Sequence, residues 1–249
     1  MCYNVEYIKR RAAELAERYK RFVKSEPDLW RPPGYQENMK GYFISGFSYP
    51  VLPFVTDDAI DYKQWGLIPS WVKDRQKAEE LRRITLNAVG ETVFEKPAYR
   101  TAIKTRRGIL PVNGFYEWRE FNKVKYPYLV SVKNEELFSL GCLYENWVDK
   151  STGEILNTFS IITTPANPLM EQIHNLKKRM PLILKKEDED RWCDPSLTKE
   201  QIQELIKPLD QDLLDAYTVS RDVNSARNNR DVEESVKMVE YPELPPLVK

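Results

Sequence analysis

The sequence predicts an α+β fold: one domain over residues 1–249, built on a curved, barrel-like, mostly antiparallel sheet with flanking helices. Three observations lead there. A single amphipathic helical pattern opens the chain. From Tyr42 onward the texture changes to many short apolar and aromatic runs separated by turn chemistry. No repeat and no Gly/Ser-rich linker divides the 249 residues.

The opening helix is read over residues 6–24. Ile8, Ala12, Leu15, Ala16, Tyr19, Phe22 and Val23 recur at helical spacing with Lys, Arg and Glu between them. SEPDLWRPPGYQ then breaks the pattern with three prolines and a glycine. Strands follow at Val51–Val55, Gln64–Ile68, Gly108–Val112, Phe115–Arg119, Tyr128–Val132, Leu137–Leu143 and Thr158–Thr164. FNK, KNEE and DKSTGE supply the turns. Because these strands follow one another closely, antiparallel pairing is expected. Short helices are expected at Leu169–His174, Lys186–Cys193 and Thr198–Ile206, and the polar, Asn/Arg-rich stretch Asp222–Glu234 reads as a loop or surface cover.

Composition narrows the function classes. The chain is 41% hydrophobic and 31% charged, enough for a real core on a water-compatible surface. Lys and Arg total 38, as do Asp and Glu, so bulk charge does not point to nucleic acid, although a local basic groove is compatible with neutrality. Three cysteines, Cys2, Cys142 and Cys193, form no disulfide framework, and with no C-x-x-C pair and His174 as the lone histidine a metal site is not expected. No apolar run follows Met1 and none approaches membrane-span length, so a soluble intracellular protein is expected.

Four stretches can carry chemistry. Cys2 stands directly behind Met1. Read alone it serves equally as a small buried residue. Once Met1 is removed, however, it presents a thiol and an α-amine with a pKa of about 8 on one residue. Such a pair traps an aldehyde: the amine forms a Schiff base, the thiol closes on it, and a five-membered thiazolidine results. LPVNGFYEWRE sets Glu117 among aromatics. A surface Glu on an edge strand is the plain alternative to a carboxyl tuned for proton transfer. TTPANPLMEQIHNLKKRMPLIL places His174 ahead of Lys177, Lys178 and Arg179, either as a solvated helix end or as an imidazole beside a phosphate-binding cluster. TLNAVGETVFEKPAYRTAIKTRRGILPV offers Asn87 to orient a reacting group and Arg100, Arg106 and Arg107 to meet phosphates, or an ordinary solvated turn.

Taken together, MC at the start, WGLIPSW, LNAVGET, FEKPAYR, RRGILPVNGFYEW, TTPAN…IHNLKKRMPLIL and VSRDVN run in that order along nearly the whole chain. The chain resembles the SRAP (SOS response-associated peptidase) family. The resemblance implies one α+β domain around a barrel-like sheet with a positively charged cleft. It also implies an abasic-site sensor that removes its own Met1 and crosslinks Cys2, as a thiazolidine, to the ring-opened sugar of an abasic site in single-stranded DNA. By motif, Cys2 is the nucleophile, Glu117 moves protons, His174 assists opening of the sugar ring, and Asn87 positions the N-terminal residue and the lesion. Asn4, Trp71, Arg100, Thr164, Lys178 and Arg179 fall at positions expected to meet DNA. No cofactor or metal is implied; a monomer in a bacterial cytoplasm, at the nucleoid, is.

Many members begin MCGR where this chain has Tyr3 and Asn4, and many carry NAR where it has Asn87, Ala88 and Val89. Two phosphate contacts are thereby absent or replaced, and the KK before Arg179 can supply replacements. An N-terminal-nucleophile hydrolase acting on peptides or amides is a second reading of the same residues. A non-enzymatic reader of modified or single-stranded DNA is a third.

Overall fold

The structure, a computed structural model, describes residues 2–8, 12–24 and 38–248. In chain order the elements are β1 (Asn4–Glu6), α1 (Ala12–Tyr19), β2 (Phe22–Val23), β3 (Ile44–Ser45), β4 (Val51–Val55), β5 (Ala59–Trp65), α2 (Arg75–Arg82), β6 (Asn87–Val89), α3 (Ala102–Thr105) and β7 (Arg107–Val112). They continue with β8 (Gly114–Phe121), β9 (Val124–Val132), β10 (Phe138–Val148), β11 (Ile155–Pro165), α4 (Pro168–Ile173), β12 (Arg179–Pro181), β13 (Ile183–Leu184), α5 (Glu189–Cys193), α6 (Lys199–Leu205) and β14 (Leu214–Thr218).

Five strands close on themselves. Antiparallel pairs run β5–β4–β7–β10–β11, and a short parallel pairing of Thr158 with Gln64 and Phe159 with Trp65 joins β11 back to β5. The seam is held by Gly66 N–H donating to Phe159 O at 2.9 Å and by the Trp65 and Phe159 rings, stacked with centroids 5.9 Å apart. Closure explains why these strands read as near-continuous apolar runs, because both faces are covered. Leu52, Phe54, Trp65, Leu110, Leu140, Cys142, Phe159 and Ile161 share one apolar cluster. Val55, Ile60, Ile109, Leu143 and Ile162 share a second, with α1, α3 and α5.

A second sheet, ordered β14–β9–β8–β1–β3, carries the N-terminus. Its β8–β9 hairpin turns at Asn122 and Lys123, both at positive φ (49° and 63°), the two-residue geometry that matches strand twist. β1 is interior to this sheet, antiparallel to β3 (Asn4 with Ser45) and to β8 (Val5 with Phe115).

The expected strand Val51–Val55 coincides with β4. Gln64–Ile68 is corrected, since it meets β5 only at Gln64 and Trp65 and the strand runs back to Ala59, where it pairs with β4. The other strands and the three later helices fall on observed elements with shifted ends. α6 has the full capping box of Thr198 and Gln201, and α4 is capped by Asn167 with Pro168 behind it. The first helix is corrected: among the described residues helix covers Ala12–Tyr19 only, Asn4–Glu6 is strand, and Phe22 and Val23 form a parallel pair with Ala59 and Ile60. The amphipathic spacing is real, but strand pairing overrides it at both ends. The SEPDLWRPPGYQ break lies outside the described residues.

The Asp222–Glu234 stretch is a fitted strap. The Asp231 carboxylate accepts from Lys40 N, Gly41 N and Tyr42 N at 2.6, 2.8 and 2.8 Å, fixing the approach to β3. The Arg230 guanidinium lies 4.5 Å over the Phe43 ring.

Candidate active site

Cys2 is fully buried at the entry to β1, and its thiol points to Asn4 O at 3.8 Å. Burial, and next the nearby Glu117 carboxyl, push the thiol well above its ordinary pKa, so at neutral pH it is protonated. Glu117 lies in β8, the strand paired directly with β1, and is 2% exposed. Burial pushes its carboxyl up to about 7.

His174 caps the C-terminus of α4. Its Nδ1 lies 2.8 Å from Arg179 O and 3.3 Å from Arg179 N; the carbonyl can only accept and is the closer, so we assign the proton to Nδ1 and the lone pair to Nε2. Nε2 is 3.7 Å from Glu117 Oε2. Burial lowers the imidazole pKa to about 4, so the ring is neutral at physiological pH. The neighbouring Asn175 makes a two-point clamp on β8. Its Oδ1 accepts from Glu120 N at 3.0 Å and its Nδ2 donates to Glu120 O at 2.8 Å. This carboxamide mimics a strand partner and holds the His174 loop against the strand that carries Glu117.

Glu117 and His174 line a cleft of about 400 Å3 together with Tyr3, Asn4, Phe47, Trp118, Lys125, Lys177 and Arg230. Three cations and the Glu120 carboxylate therefore share this cleft with the buried Glu117 carboxyl and the His174 imidazole. The strap completes it, with Asn224 Oδ1 accepting from Trp118 Nε1 at 2.5 Å. Cys2 itself is sealed behind Tyr3 and Asn4, which do line the cleft.

The remaining sequence candidates are placed as follows. Asn87 begins β6, which runs parallel to β11, and its side chain is buried. Neither end of its carboxamide has a hydrogen-bond partner among the described residues, a costly state that an added ligand would relieve. Its backbone O accepts from Tyr99 OH at 3.0 Å. Burial pushes the Tyr99 phenol up to about 12.

Asn4 lines the cleft, whereas Trp71 and Arg100 do not. Trp71 is exposed elsewhere, its indole N–H donating to Pro97 O at 3.2 Å, and Arg100 is exposed on the turn before α3. Thr164 is fully buried in β11, with its hydroxyl donating to Pro165 O at 3.1 Å, because the barrel covers both faces of that strand. Lys178 is exposed, at φ 49°, and paired with Glu171 at 3.3 Å. Arg179 is engaged by Glu91 in a two-pronged pair and by Thr163 O at 2.7 Å.

Sequence reasoning missed Phe47, Trp118, Lys125, Asn175, Asn224 and Arg230. They come from five separate segments that only the folded sheet brings together, and no spacing rule links them. Among the described residues, no helix is long and apolar enough to cross a membrane and no group of three or more His, Cys, Asp or Glu could hold a metal.

The family described as SOS response associated peptidase (SRAP) matches residues 1–226. The chain is similar to the abasic site processing protein YoqW of Bacillus subtilis, 42% identical over 168 residues that make up 67% of this chain and 71% of the relative. It is also similar to the abasic site processing protein HMCES of Xenopus tropicalis, 30% identical over 187 residues covering 67% of this chain and 54% of that one. Among solved structures, an X-ray structure of a protein from Bacteroides thetaiotaomicron is 37% identical, has a TM-score of 0.87, and aligns over 96% of this chain and all (100%) of that one.

Proposed function

Because the chain belongs to the SRAP family, we propose that it processes abasic sites in DNA by forming a thiazolidine crosslink between Cys2 and the ring-opened sugar in single-stranded DNA. The observation that carries this reading is the placement of Cys2 just ahead of β1, the strand paired with the one that bears Glu117, with His174 3.7 Å from that carboxyl and both Glu117 and His174 lining a cleft that holds three cations. The names of its relatives, abasic site processing proteins, support the substrate class.

While Met1 is attached, the Cys2 nitrogen is an amide and cannot attack a carbonyl. Hydrolysis adds water across the Met1–Cys2 bond, with Glu117 taking a proton from the water, and frees the amine. The neutral imidazole of His174 takes the C1′ hydroxyl proton of the closed sugar at Nε2 and returns it to O4′ as the C1′–O4′ bond breaks, exposing the aldehyde. The amine attacks C1. Glu117, poised near neutrality, accepts the ammonium proton and returns one to the departing hydroxyl. Loss of that water leaves an imine. Cys2 Sγ then attacks the imine carbon, its proton passes to the nitrogen, and the ring closes. The balance is one aldehyde plus one aminothiol giving one thiazolidine and one water. Asn87 has a free amide donor and acceptor for the lesion or the new amine.

A raised thiol pKa favours this order over a cysteine hydrolase. A hydrolase needs a thiolate before substrate arrives, whereas here the amine attacks first and the protonated thiol follows. The test is a denaturing gel of protein incubated with single-stranded DNA carrying one abasic site. The expected result is a heat-stable shifted band that needs both the lesion and Cys2. No such band, from protein whose intact mass shows Met1 removed, would overturn the reading and favour the hydrolase.

A further inference from the structure

The cleft runs across the strand order β9–β8–β1–β3, so it spans three inter-strand steps, roughly 14 Å. Its lining changes character along that line. Lys125 stands on β9, Glu117 on β8 and Tyr3 at the head of β1, and Phe47 follows β3. Lys177 enters from the loop after α4.

Phe47 is 60% exposed, yet its backbone is rigidly set. It sits in the Gly46–Ser48 turn. A Cβ at Gly46 would stand 3.1 Å from the Trp65 indole, so the turn lies flat on that ring. Ser48 Oγ donates to Ser45 O at 2.7 Å, and Tyr49 closes the turn by donating to Gly46 O at 3.0 Å. The Phe47 and Tyr3 rings meet with centroids 4.9 Å apart at 37°. Tyr3 is covalently next to Cys2, and its phenol pKa is raised by burial and then by Glu117 and Cys2. A fixed, half-open aromatic pair thus begins one residue from the reactive amine, in a cleft with three cations.

We infer that the Phe47–Tyr3 pair is a stacking platform for the nucleobase flanking the abasic nucleotide on one side. The inference rests on the abasic-site reading above and specifies the DNA context that site prefers. A flat apolar ring surface beside phosphate-seeking cations matches a base with its backbone, and every base offers a π-face. The abasic nucleotide has no base to stack. A neighbouring base held on Phe47 leaves the bare sugar over Glu117 and Cys2. The platform therefore supplies the affinity that the lesion lacks, and crosslinking depends on a base being present at that flank.

The test uses single-stranded oligonucleotides with a tetrahydrofuran abasic analogue and 2-aminopurine on either flank, with wild type, Phe47→Ala and Phe47→Trp. Wild type is expected to change 2-aminopurine emission at one flank only. Phe47→Ala loses that change and weakens binding roughly 5- to 100-fold, and Phe47→Trp restores both. Replacing the flanking base by a second tetrahydrofuran should erase the difference between wild type and Phe47→Ala. Equal affinity and unchanged emission in Phe47→Ala would overturn the inference. A parallel gel with a natural abasic site separates the two readings. Wild-type crosslinking with a silent Phe47 variant sinks the platform alone. Absent wild-type crosslinking sinks the abasic-site reading, while a base-dependent Phe47 effect in the same samples leaves the platform standing as a single-strand contact.

Discussion

His174 Nε2 stands 3.7 Å from Glu117 Oε2, with both side chains buried and their pKa values driven in opposite directions, to about 4 and about 7. Near pH 7 the pair is therefore a neutral base beside a half-ionised acid, rather than an ion pair. An acid and a base in one desolvated site can each move a proton without first being charged or discharged by solvent.

The rate of crosslinking under single-turnover conditions should inflect near pH 7 in wild type, following Glu117. Glu117→Gln should slow Met1 removal and crosslinking by about 100-fold or more and abolish that inflection. Stopped samples followed by intact mass and denaturing gel measure both. An unchanged inflection would assign the titration to another group.

The same carboxyl links stability to pH. Its folded pKa is raised from 4.5 to about 7, so the folded state keeps a proton that the unfolded chain gives up. Stability is full below pH 4.5 and is lost as pH rises through 7, by about 3 kcal/mol in total. His174 has the opposite sign: its pKa is lowered from 6.5 to about 4, so stability falls as pH drops through that window. Because the two windows overlap with opposite sign, wild-type stability should stay nearly flat between about pH 5 and 7, and chemical denaturation of Glu117→Gln should show stability rising with pH over that range, since only the His174 contribution remains.

Cys2→Ser separates the two steps of ring closure. The amine remains, so borohydride should still trap an imine to the abasic DNA. Without reduction, no heat-stable band should survive. A stable unreduced band from Cys2→Ser would show that sulfur is not part of the adduct.

Asn175 positions rather than reacts. Asn175→Ala removes both bonds to Glu120 and should cost about 1–3 kcal/mol of stability. It should also slow crosslinking to closed-ring lesions through His174 while leaving the pH inflection in place. A shifted inflection would mean that Glu117 itself has been disturbed.

Arg179 is engaged by Glu91, so phosphate must compete for it. Glu91→Gln should tighten binding to single-stranded DNA several-fold and steepen its salt dependence by about 0.7 of a unit in log–log slope. Binding titrations at three salt concentrations decide it, and an unchanged slope would keep Arg179 as a purely structural cation.

The barrel strands were legible because closure buries both faces and writes unbroken apolar runs such as VLPFV and RGILPV into the chain. β1, β3, β6, β12 and β13 were not, since two- and three-residue strands are too short to show a period and are held by distant partners. Cys2, Glu117 and His174 stood out by residue type and neighbours. The covering role of Asp222–Glu234 was legible from its polar composition, but Phe47 and Arg230 were not, because they acquire meaning only from the sheet order that sets them beside Tyr3 and Lys177 in one cleft.

The interior position of β1 bears on mechanical load. Tyr3 O and Tyr7 N bond to Gly46 and Gly41 on one side, and Glu6 O and Ile8 N to Asn113 on the other. Tension applied at Cys2 along the strand is thus shared by two rows of hydrogen bonds in shear. They must fail together rather than peel one at a time. A motor hauling on a strand attached there would have to tear the centre out of a sheet before it freed its track.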